Sequence, residues 1–96
     1  MKNETSITVT AFCTHHNVEI AFVSSLYESG LIETIHEGED RSITYDQLPQ
    51  LEKLVRLHYD MDINIEGIEA ITFLLQRMSQ LQHELSDLKQ RVGLYE

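Results

Sequence analysis

Positive charge is scarce in this chain: seven Lys and Arg stand against sixteen Asp and Glu, for a formal charge of −9. So acidic a surface disfavours DNA and anionic membranes and favours cationic partners. Cysteine occurs once, at Cys13. An intramolecular disulfide is therefore excluded, and a reducing cytoplasm is the expected home. No apolar run approaches the ~18 residues that would span a bilayer. The polar residues 1–6 lack the basic and apolar regions of a secretory signal, so the chain is expected to stay where it is made. Glycine is sparse, and Gly38 and Gly67 are isolated, so there is no Gly-rich phosphate loop. Ser24 and Ser25 have no evident base nearby in sequence, and no paired catalytic carboxylates stand out, so no enzyme activity is expected.

What is present is a globular composition. Ninety-six residues, 42% of them apolar, can build one domain around a single modest core. The acids are unevenly placed: Glu19, Glu28, Glu33, Glu37, Glu39, Asp40 and Asp46 share their stretch with one base, Arg41.

Alternation at Ile7 and Val9 predicts a short strand or extended lead-in. A first helix is expected over about residues 10–16, with Phe12 and Cys13 facing inward. Asn17 tolerates the left-handed conformation and can reverse the chain. A second helix should cover about residues 19–29, with Ile20, Val23 and Leu26 or Tyr27 on its buried face and Gly30 as its stop. Residues 8–32 thus read as a helix-turn-helix whose second helix, the one that would read DNA, has no Lys or Arg. Residues 31–36 and 42–45 alternate around a turn at Gly38, a hairpin that would form a wing. Asp46 is expected to cap a third helix, with Pro49 in its first turn. Leu48, Leu51, Leu54, Val55 and Leu57 or His58 would form that helix's buried stripe.

Asn64 is a good cap for a last, long helix beginning near Ile65. Along it Ile71, Leu74, Met78, Leu81, Leu85, Leu88, Val92 and Tyr95 are separated alternately by three and four residues, the a/d seam of a coiled coil. At ~1.5 Å per residue it would reach about 40 Å, farther than so small a head can cover. The expected partner is the same helix of a second copy; the alternative is a bundle with the third helix of the same chain. A parallel pair would set Glu84 against Lys89 and Arg91 against Glu96, whereas antiparallel offsets can pair Arg77 with Glu84, so both orientations stay open. The expected division is a winged head, residues 1–63, and a dimerisation helix, residues 64–96, in one structural domain.

The order of helix, turn, helix, wing, helix and long coiled-coil helix resembles the MerR type of DNA-binding regulator. The matching residues are Thr8-Val9-Thr10-Ala11-Phe12-Cys13, Asn17-Val18-Glu19, Gly30-Leu31-Ile32, Ser42-Ile43-Thr44-Tyr45 and Asp62-Ile63-Asn64-Ile65-Glu66-Gly67-Ile68. The resemblance extends over about 85 residues. The departures are in charge: Ala21, Ser24 and Glu28 stand where that family carries basic residues, and the wing has Arg41 alone among four acids. These departures, with Arg56-Leu57-His58-Tyr59-Asp60-Met61-Asp62-Ile63 and Lys89-Gln90-Arg91 after residues 81–88, make the chain similar to the chaperone modulators of the CbpM kind. The fold this implies is mainly α, a winged helix-turn-helix with a small β-hairpin wing and a long C-terminal coiled-coil helix. The implied function is binding to the J-domain of a DnaJ-like, curved-DNA-binding co-chaperone, which blocks its stimulation of Hsp70. A MerR-type transcription factor is the alternative.

A J-domain meets Hsp70 through a basic helix, so an acidic competitor could occupy the same surface. Glu19 and Glu28 are candidates for pairing with its cations, and Phe22 and Tyr27 for apolar anchors. For each there is a plainer reading: Glu19 offsets a helix dipole, and Phe22 and Tyr27 complete the core. The wing acids Glu37, Glu39 and Asp40 can likewise be a solvated hairpin tip. Cys13, His15 and His16 cluster, but zinc would need four placed ligands, so no metal or other cofactor is expected. His15 is expected to lie half-buried beneath the turn, and Cys13 to act as a small buried hydrophobe.

Overall fold

A computed structural model describes residues 5–93, in the element order β1 (Ser6–Thr8), α1 (Val9–His16), α2 (Ile20–Glu28), β2 (Ile35–Glu37), β3 (Asp40–Thr44), α3 (Leu48–Tyr59) and α4 (Ile65–Gly93), with a 3-10 turn at Tyr45–Gln47 before α3. The expected helix, turn, helix, wing, helix and long helix are all there. The polar lead at residues 1–4, the last seam position Tyr95 and the Arg91–Glu96 pairing fall outside the described residues.

Local chemistry accounts for the punctuation. Thr8 caps α1, its hydroxyl accepting from the Ala11 amide at 3.1 Å. Asn17 ends α1 in the left-handed conformation at φ 58°. This turn lets the Val18 amide reach the Cys13 carbonyl at 2.9 Å. Gly30, at φ 80°, closes α2 as the Leu31 amide returns to the Leu26 carbonyl at 2.9 Å. At the start of α4 the Asn64 side chain accepts from the Gly67 amide at 2.8 Å. A Cβ on Gly67 would lie 2.7 Å from Ile63 Cγ2, so a larger residue there would force the Ile63 side chain to shift.

The lead-in is a short strand, as expected, and β1 pairs antiparallel with β3, Ile7 opposite Ile43, so the wing is anchored in a three-stranded sheet ordered β1-β3-β2. Two local expectations are corrected. The outer wing strand is only Ile35–Glu37. Residues 31–34 are instead bridged to the 3-10 turn by the Gln47 side-chain amide. Its oxygen accepts from the Glu33 amide at 2.8 Å, and its nitrogen donates to the Glu33 carbonyl at 2.7 Å. Asp46 does not cap α3, because it lies within the 3-10 turn and Gln47 takes the N-cap position without a side-chain cap bond.

The core gathers Phe12, Cys13, Val18, Phe22, Val23, Leu26, Ile32, Ile43, Leu51, Leu54 and Ile68 from α1, α2, the wing, α3 and the first turn of α4. Two burial expectations reverse. Ile20 is half exposed, whereas Phe22 is 6% exposed. The cause is the end of α3, where His58 stacks its ring on Phe22 at 4.3 Å and seals that edge of α2. His15 is exposed, and it is His16 that stacks on Phe12, with centroids 4.2 Å apart. The core reaches α4 only at its root, and residues 73–93 are exposed throughout. The covering of α4 by α3 therefore stops far short of a full intramolecular bundle.

Candidate partner-binding surface

The surface at issue is the outer face of α2 with the wing beside it. Phe22, Val23 and Leu26 face the core, which turns Ile20, Ala21, Ser24 and Glu28 to solvent. Glu19 is the exposed N-cap residue; its side chain makes no cap bond, and its amide donates instead to the Tyr59 hydroxyl at 3.1 Å. Glu19 and Glu28 therefore bracket α2 at its two ends, their backbone positions about 13 Å apart along the axis.

Of the two proposed anchors, Phe22 is corrected: a ring stacked on His58 and nearly closed to solvent cannot insert into a partner without opening the core. Tyr27 is half-buried, and Arg41 from the wing lies over its ring at 4.1 Å from the centroid. The same guanidinium donates to the Thr34 hydroxyl at 3.4 Å. The wing's single strong cation is thus folded inward by a cation–π contact. Exposed Glu39 and Asp40 remain at the tip. What faces outward is weakly apolar and acidic.

Sequence reasoning missed Ile20, whose spacing with Val23 suits a buried stripe. The signal that could have found it is the alignment of residues 20, 24 and 28, which puts Ile20 in one row with polar Ser24 and Glu28. Met61 and Tyr59, 62% and 43% exposed, were also missed as surface apolar groups.

The second candidate surface is the seam of α4. Ile71 is partly buried beside the head, while Leu74, Met78, Leu81, Leu85, Leu88 and Val92 are each about half exposed. These residues lie on one side of a helix about 43 Å long. Contiguous apolar exposure on this scale is characteristic of interaction surfaces. Cys13 is buried, and burial pushes its thiol above the ordinary range. No helix among the described residues is long and apolar enough to cross a membrane.

Comparison with known proteins agrees with this geometry. Residues 7–90 match the family described as MerR HTH family regulatory protein. The chaperone modulatory protein CbpM of Pseudomonas putida strain KT2440 is 32% identical over 84 residues, covering 86% of this chain and 83% of that protein. The proteins of the same name from P. putida strain W619 and Pseudomonas entomophila strain L48 are 30% identical over the same shares. With its MerR-like helix-turn-helix, small antiparallel sheet and long C-terminal helix, the chain belongs to the CbpM family of chaperone modulatory proteins.

Proposed function

We propose that this protein is a non-enzymatic chaperone modulator that binds the J-domain of a DnaJ-like co-chaperone of the curved-DNA-binding type and inhibits its stimulation of Hsp70. The observation that carries the reading is electrostatic. On a scaffold built for gripping nucleic acid, the reading helix has no Lys or Arg and the wing's Arg41 lies on Tyr27. The face left over carries Glu19, Glu28, Glu39 and Asp40, which suits the basic helix by which a J-domain meets Hsp70. Complementary charge speeds encounter and selects the partner, while apolar contacts supply most of the affinity. A protein occupying that helix competes with Hsp70 by exclusion and needs no chemistry of its own. Membership of a family whose relatives are named chaperone modulatory proteins supports the same reading.

The head, residues 1–63, is the partner-binding part and the helix, residues 64–96, the dimerisation part of one structural domain. Two copies pair through Ile71, Leu74, Met78, Leu81, Leu85, Leu88 and Val92. A single buried cysteine is compatible with work in the cytoplasm.

The test is association of the full chain with a purified J-domain, followed by J-stimulated ATPase of the Hsp70 partner. Reversing Glu19 and Glu28 together to Lys should slow association and leave the fold intact. Unchanged kinetics would remove the α2 face from the proposal. The scaffold itself favours one other reading, a DNA-binding regulator. Six to ten phosphate contacts would give that regulator a steep salt dependence. No duplex binding near physiological salt is expected here, and tight, salt-sensitive binding in a mobility assay would reverse the order of the two readings.

A further inference from the structure

The turn between α3 and α4 exposes side chains that neither the core nor the seam uses. Within it, Leu57, His58 and Ile63 are structural: the Ile63 amide donates to the Leu57 carbonyl at 3.1 Å, and His58 Nδ1–H donates to the Ile63 carbonyl at 2.8 Å. A further bond from the Asp60 amide to the Arg56 carbonyl at 2.9 Å and a left-handed Asp62 at φ 58° complete a tightly specified turn. That frame holds Tyr59 and Met61 out, 43% and 62% exposed.

The turn does not stand alone. The Tyr59 hydroxyl accepts from the Glu19 amide at 3.1 Å, and its ring meets Phe22 edge-on at 5.5 Å, so the end of α3 abuts the start of α2. The next residue along α2 is Ile20, 51% exposed. Three large apolar side chains are therefore carried on two hydrogen-bonded elements, accompanied by the exposed acids Glu19, Asp60 and Asp62. The nearest cation in sequence, Arg56, turns toward α1 and lines a notch with Phe12, His16, Glu52 and Val55.

We infer that this ledge, Ile20 with Tyr59 and Met61, is where a cationic amphipathic helix of the J-domain docks, its apolar stripe on the three side chains and its Lys or Arg toward Glu19, Asp60 and Asp62. The inference rests on the function proposed above and moves the centre of the interface from the Tyr27–Glu28 end of α2 to its Glu19 end. Charge selects the occupant: a second copy of this chain would bring acid against acid, whereas a basic helix neutralises the rim. Pre-organisation is also favourable, because ordering side chains on a fixed turn costs less than ordering a loose loop. Tyr59 has the character of an interface anchor, a large ring with a polar tip already satisfied.

The experiment uses the full chain and a purified J-domain in a binding assay that resolves association and dissociation, with thermal melts as the control for folding. Met61→Ser and Ile20→Ser, both at exposed positions, should each raise Kd about tenfold, chiefly through faster dissociation. Asp60→Lys should slow association, with an effect that shrinks as salt rises. Glu28→Lys, at the far end of α2, should do less than Asp60→Lys. If wild type binds but Met61→Ser and Ile20→Ser stay within about twofold of it, the ledge is refuted and the proposed function survives. If Met61→Ser alters self-association in sedimentation and leaves J-domain affinity unchanged, the ledge belongs to a second copy and the inference is overturned. If wild type does not bind the J-domain at all, the ledge and the proposed function fail together.

Discussion

Truncating Leu81 to Ala is the sharpest test of the α4 seam. Leu81 is 49% exposed in the single chain. Full burial of a leucine side chain contributes ~1.5–3 kcal/mol, so about 1 kcal/mol remains to be gained per copy when a second helix covers it. A symmetric pair carries the change twice, and the void between the helices adds to the loss. Together these cost about 2–3 kcal/mol, or roughly a thirty- to 150-fold rise in the dimer Kd. The head should not register the change, because Leu81 lies well beyond the first turns of α4 that meet the core. Sedimentation equilibrium over a range of concentrations gives the Kd, near-UV circular dichroism follows the head, and Thr72→Ser on the head-facing side serves as the control. A wild-type chain that stays a single copy at ~100 µM, a concentration at which even weak specific pairs form, would refute the seam. So would a Leu81→Ala Kd within about threefold of wild type.

Other outcomes follow from the core and the turns. Phe22→Ala should cost about 3–5 kcal/mol in chemical denaturation, since it empties the site on which His58 stacks; a variant of wild-type stability would restore Phe22 to the list of surface anchors. Asn17→Ala should cost about 1 kcal/mol, whereas Asn17→Gly should be nearly neutral, because the position requires the left-handed conformation. The Cys13 thiol titrates above its ordinary range in the fold, so the unfolded chain loses that proton first as pH rises. Stability should therefore decline above about pH 8.5, and Cys13→Ala should flatten that decline in denaturant midpoints.

The parts of the fold legible in the sequence are those set by neighbours along the chain. Asn17, Gly30 and Asn64 act within a few residues, and the three-four spacing from Ile71 to Val92 is a property of one helix. What escaped was set across the chain. In α2, only nine residues long, periodicity alone does not say which edge of the helix is covered; His58, thirty-six residues from Phe22, decides it. The pairing of β1 with β3 and the bridge from Gln47 to Glu33 likewise join segments whose relation no local pattern encodes. Of the four partner-binding candidates, Glu19 and Glu28 stand on the surface, Tyr27 is half-covered by Arg41, and Phe22 belongs to the interior.

The hydrogen bond from His58 to the Ile63 carbonyl has a mechanical side. It joins the last turn of α3 to the residue two before α4 begins, so the imidazole, with the Ile63–Leu57 backbone bond, helps set the root of a rod about 43 Å long. With that leverage, a tilt of about 5° at the root swings the tip by nearly 4 Å, close to the width of one leucine in a knobs-into-holes layer. His58→Ala would thus be felt at Val92 as a misaimed shaft, in addition to the loss of its stack on Phe22.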